Sequence, residues 1–256
     1  MPHWLANAPA WVGPLGFGCA CIVLWLVIAH GVTALARWLS HRSKRPFQWV
    51  STWGLGRLAS AIGAAAALDV ALLYGVFSAL DVGLRAPDWA VTLEWLPATV
   101  GIMALWLAFL WGAAWWGRPS RPPPRARLWG WGNAWDLPAY LAFHEASLAF
   151  LRGALGPALG SYWGAWSAVI LKGSLAILAP GGVASLREPD HRPWVLLTAA
   201  LDWLSSAAMV TSGSLWAGLI VRFVGLASAL VAYRLAGRAA HQKKTGCLPS
   251  SERQPE

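Results

Sequence analysis

The chain is 256 residues long, 57% hydrophobic and only 12% charged, with a mean hydropathy of +0.48. That leaves too little polar surface to coat a water-soluble globule and marks an integral membrane protein. The net charge of +9 is spread over four loops without a recognition motif, which excludes nucleic-acid binding as its explanation.

A helix that crosses about 30 Å of hydrocarbon needs about 20 apolar residues. The chain supplies such stretches near 12–36, 59–82, 96–117, 138–155, 163–179, 195–212 and 215–236. The predicted fold is therefore an all-α, polytopic transmembrane bundle of about seven spans. The first stretch follows no basic segment and is longer than a signal-peptide core, so it reads as a retained helix. It carries Cys19, Cys21 and His30. The two cysteines diverge by about 200° on a helix and make a poor metal pair, and His30 reads as a core histidine.

Between the third and fourth stretches runs Arg118-Pro-Ser-Arg-Pro-Pro-Pro-Arg-Ala-Arg127, a stiff basic connector in which proline forbids helix. It divides a three-span part (1–117) from a four-span core (138–236), with the connector over 118–137 and a polar tail over 237–256. Sixteen Lys and Arg residues fall on one side of the predicted spans, with Arg85 alone on the other. Because short basic loops stay in the cytoplasm, the N-terminus is placed outside and the C-terminus inside. The same bias fits a bacterial inner membrane with anionic lipid. Most of the 20 tryptophans sit near span ends, as an interfacial aromatic belt requires, and Trp129, Trp131 and Trp135 cluster just before the fourth span.

Six charged residues lie well inside the spans, away from their ends: Asp69, Glu145, Arg152, Lys172, Asp202 and Arg222. A charge at mid-bilayer costs roughly 2.5–3.5 kcal/mol even on the mildest scale, so such residues pair inside the bundle or line a functional cavity. Three acids against three bases suggest pairing. Asp202 and Arg222 lie at similar depth on antiparallel neighbours. Glu145 neutralises Arg152, Lys172 or Arg222, and Asp69 pairs with Lys172 or carries a proton. His144 donates to a carbonyl or ring. No His, Cys or carboxylate residues combine at metal-ligand spacing except His144 and Glu145, which are adjacent and point about 100° apart on a helix, and no cofactor motif is present.

The segment Thr211-Ser-Gly-Ser-Leu-Trp-Ala-Gly-Leu-Ile-Val-Arg222-Phe resembles the Gly-Ser-Leu-Trp segment of the CPBP family, the CAAX-protease and bacteriocin-processing intramembrane proteases. Leu148-Ala-Phe-Leu-Arg152-Gly and the helix start that follows, to Leu171, resemble that family's Glu-Glu-x-x-x-Arg helix and the next element. The spacing between the two regions is also similar, and the resemblance covers roughly residues 135–235.

The family uses two adjacent glutamates and two histidines around a water, because a carboxylate must take the water's proton while donors hold the oxyanion. Here Ser147 and Leu148 stand at the glutamate positions, Pro180 and Arg222 at the histidines, and Leu226 near the following polar position. Only Arg152 matches.

The resemblance thus implies a catalytically degenerate member that binds a transmembrane partner or peptide, with Arg152 and Arg222 lining a positive cavity suited to a carboxylate. Two other readings stand beside it. Glu145 lies seven residues before Arg152 and shares its helix face, so with His144 it is the candidate catalytic pair of a divergent intramembrane protease. A transporter, or a subunit of a larger complex, would use Asp69 and Asp202 as ion sites.

Overall fold

A computed structural model describes residues 9–42, 53–86, 88–91, 93–95, 97–98, 101–102, 104–105, 108, 136–187 and 192–246. Most of the basic connector, most of the third predicted span, Trp129, Trp131, Trp135 and Cys247 lie outside them. Among the described residues every regular element is a helix, as the composition and the apolar runs require. The elements are α1 (Val12–Arg42), α2 (Trp53–Leu73), α3 (Asp136–Leu178), α4 (Gly182–Arg187), α5 (Arg192–Ser212) and α6 (Leu215–Gly246).

The central element is α3, which is a hairpin. Gly160 adopts φ 79°, ψ 160° three residues after Pro157, a backbone region open essentially to glycine alone. The chain turns back there, so Gly156 and Gly164 meet across the two arms, where a Cβ on Gly164 would stand 2.9 Å from the Gly156 Cα. The apolar stretches 138–155 and 163–179 are the two arms. Helices α1, α2, α5 and α6 all pack against this hairpin. Leu68 and Ala71 of α2 bury against Ala149, Phe150, Leu151 and Ala154 of the first arm, and Phe17, Cys21 and Ile22 of α1 close the cluster.

The second predicted span, 59–82, ends early. Helix α2 stops at Leu73, and residues 74–85 form turns that enter the core, burying Phe77 and Val82. Apolar content alone did not separate a spanning helix from a turn whose apolar residues point inward. At its far end the same loop meets α6, where the Gly83 carbonyl accepts the Leu215 amide at 2.7 Å.

The turn between α5 and α6 is built by capping. Gly213, at φ +65°, ends α5 in the left-handed region, its amide bonded to the Met209 carbonyl, as helix C-termini favour. Ser214 then caps α6, its hydroxyl accepting from the Trp216 amide at 3.3 Å and donating to the Arg85 carbonyl at 2.9 Å. The Gly-Ser-Leu-Trp string therefore has a local structural reason. Helix α6 runs to Gly246, ten residues past the end of the predicted span.

The distribution of polarity is inverted relative to a soluble protein. Val23, Leu24, Val27, Ile28, Val32 and Leu35 stand exposed on α1, while Glu145, Arg152, Asp202 and Arg222 are buried. Two stretches, Val12–Val32 and Val195–Ser212, are long and apolar enough to cross a membrane.

Candidate functional site

Five ionisable groups form one bonded network at the junction of the hairpin with α5 and α6. Arg222, entirely buried, donates from Nε to Glu145 Oε1 at 2.5 Å and from Nη2 to Asp202 Oδ1 at 2.6 Å. Lys172 donates to the same Asp202 oxygen at 2.7 Å and to His144 Nδ1 at 2.8 Å. An ammonium has only donors, so Nδ1 accepts and His144 is the neutral Nε2–H tautomer. The 3.6 Å approach of His144 to Asp202 is therefore not an ion pair. Lys172 also reaches the His144 carbonyl at 3.2 Å, tying the second arm of the hairpin to the first.

Helical spacing brings these groups together. Asp202, Ser205 and Ser206 lie three and four residues apart and share one face of α5. Ser205 donates to Glu145 Oε1 at 2.7 Å, and Ser206 accepts from Arg152 Nη2 at 2.7 Å. Neither serine was singled out from the sequence, although their offset from Asp202 was a readable signal. Tyr140 packs against His144 with ring centroids 4.2 Å apart and planes tilted by 49°, and shares a 3.2 Å hydrogen bond with Thr198.

The network thus unites His144, Glu145, Lys172, Asp202 and Arg222, with Arg152 at its edge. Asp69 does not belong to it. It stands exposed on α2 and makes no hydrogen bond or ion pair among the described residues, and Lys172 pairs with Asp202 instead. Position 69 falls on the outward stripe of its helix beside the exposed Val70 and Leu73, a matter of helical phase. His30 is likewise exposed rather than a core residue.

Glu145 is engaged through one of its two carboxylate oxygens. Its Oε1 takes both Arg222 and Ser205, and its Oε2, which finds no donor among the described residues, faces Gly218. A Cβ at Gly218 would stand 2.6 Å from Ser205 Oγ, 3.0 Å from the Ser205 carbonyl oxygen and 3.5 Å from Glu145 Oε2. The α5–α6 approach has no room for a methyl group, and the nearest backbone atom cannot rotate away. Gly218→Ala is expected to destabilise the protein by roughly 1–3 kcal/mol, measured as a lower midpoint of thermal unfolding in detergent. An unchanged midpoint would show that the two helices separate freely.

Among the described residues no group of three or more His, Cys, Asp or Glu side chains is placed to hold a metal ion. No family model, curated protein or solved structure matches the chain.

Proposed function

We propose that this chain is a seven-span membrane protein, N-terminus outside and C-terminus cytoplasmic, whose four-span core resembles CPBP proteases but binds a transmembrane partner or peptide without cutting it. The membrane reading rests on the apolar exterior around buried charge and on the one-sided basic loops. Exposed Trp11, Trp38, Trp95, Trp163 and Trp216 suit an interfacial belt. At 1.5 Å per residue, the 21 residues of α5 reach about 32 Å, enough for the hydrocarbon layer. The basic-loop bias favours a bacterial inner membrane.

The observation that carries the non-hydrolytic reading is the Arg222 clamp. Where the resemblance places a histidine, a guanidinium grips both Glu145 and Asp202. The acids serve as anchors between helices, and no second carboxylate stands free beside Glu145 among the described residues. The transporter reading is disfavoured by the same residue. Of its two ion sites, Asp69 stands exposed and apart from the network, and Asp202 is held by Lys172 and by Arg222, a guanidinium that does not give up its proton.

Two measurements test the proposal. Reconstituted into liposomes, the protein is expected to leave transmembrane and C-terminally prenylated reporter peptides uncut. Isolated from native membranes in mild detergent, it is expected to retain a stoichiometric membrane partner, identified by mass spectrometry. Cleavage abolished by Glu145→Gln, with the fold intact, would overturn the binding reading in favour of an enzyme using Glu145 and His144.

A further inference from the structure

Among the described residues the buried cluster does not balance in charge. Arg152, Lys172 and Arg222 bring three positive charges, Glu145 and Asp202 two negative ones, and His144 is neutral as bonded. Both acids are engaged by Lys172 and Arg222. Arg152 is the surplus cation, 1% exposed. Its one bond among the described residues goes to a neutral hydroxyl, Ser206 Oγ, and its Nε and Nη1 find no acceptor there. Nη1 of the neighbouring Arg222 is in the same condition. Rearranging side chains within the cluster cannot cure this, since the sum of charges is the same in every rotamer. Nor can the arginines discharge by losing a proton, and Lys172 directs all three ammonium donors at Asp202, His144 Nδ1 and the His144 carbonyl. A buried cation of this kind calls for an anion.

We propose that Arg152 and Ser206 hold a single halide-sized anion, chloride in the cell, inside the helix bundle. Ser206 accepts from Arg152 and keeps its own hydroxyl proton, so guanidinium and hydroxyl together offer the convergent donors that a dehydrated halide needs. The near-complete burial of both side chains favours a monoatomic ion over a carboxylate attached to a chain. The ion brings the cluster to neutrality and completes the junction of the hairpin with α5. This inference stands on the charge count and is independent of whether the chain cleaves or binds peptides.

The test uses the full chain in detergent, exchanged into sodium gluconate and titrated with sodium chloride at constant ionic strength. Two readouts are taken: tryptophan fluorescence during thermal unfolding, and equilibrium binding of radiolabelled chloride. At about ten times its dissociation constant, chloride is expected to raise the unfolding midpoint by roughly 3–5 °C, with one ion bound per chain and bromide substituting.

Ser206→Ala, which leaves the cation in place, is expected to weaken chloride binding about tenfold, the worth of one hydrogen bond to an ion. Arg152→Met is expected to abolish it. Should Arg152→Met fail to fold, wild-type binding and Ser206→Ala decide alone. The proposal is overturned if wild-type protein binds no chloride saturably, if Ser206→Ala binds it as tightly as wild type, or if acetate stabilises the protein and chloride does not.

Discussion

Arg222→Met is expected to lower stability by roughly 3–5 kcal/mol. The cost does not measure what the ion pairs contribute. It arises because removing the guanidinium strands Glu145, which keeps only the Ser205 hydroxyl on Oε1, at a depth where water cannot replace the lost partner. Asp202 suffers less because Lys172 still reaches it at 2.7 Å.

A double substitution separates these contributions. Adding Glu145→Met removes the stranded acid and leaves the Lys172–Asp202 pair intact. The double variant is therefore expected to unfold at a higher temperature than Arg222→Met alone, with a coupling of roughly 1–3 kcal/mol between the sites. The experiment is thermal unfolding of the four proteins in one detergent, followed by the fluorescence of the chain's 20 tryptophans. Additive losses would mean that Arg222 and Glu145 do not interact in the folded protein.

The second large effect is predicted outside the charged network. Phe77 lies in the turn after α2, yet it is only 2% exposed. Its ring meets Phe150 at 5.4 Å and Phe17 at 6.0 Å, both edge-to-face, so one loop residue joins α1 to the hairpin. It also covers Gly153, where a Cβ would stand 2.6 Å from the Phe77 ring.

Phe77→Ala removes the ring from a site that its neighbours cannot collapse to fill, at an expected cost of roughly 3–5 kcal/mol. Substituting the exposed Leu80 in the same loop by alanine is expected to shift the midpoint by less than about 0.5 kcal/mol. Equal effects of the two substitutions would show that the loop does not plug the core.

Much of the scaffold could be read from local patterns. The end of α5 and the start of α6 follow from apolar runs separated by Gly213 and Ser214, a glycine and a capping serine whose preferences act within one turn of helix. Asp202 and Arg222 could be matched because a short turn between helices forces antiparallel neighbours, which sets equal depths. Glu145 and Arg152 share a face because seven residues make two turns.

Other features were beyond such rules. Lys172 pairs with Asp202, not Asp69, because the turn at Gly160 folds the second arm of α3 back beside His144, while α2 points Asp69 away from the bundle. Residues 74–82 look like a continuing apolar span until the partners of Phe77, Phe17 and Phe150, are known. The surplus of Arg152 appears only once Asp69 is removed from the count: three acids and three bases balance in the middle of the predicted spans, but two acids and three bases meet in space among the described residues.

Composition, periodicity and capping residues, all local properties, determined that the chain is helical, apolar on the outside and charged within. The tertiary structure alone decided which charges meet and which one is left over, because pairing in a dry core depends on helical phase and contact between segments distant in sequence.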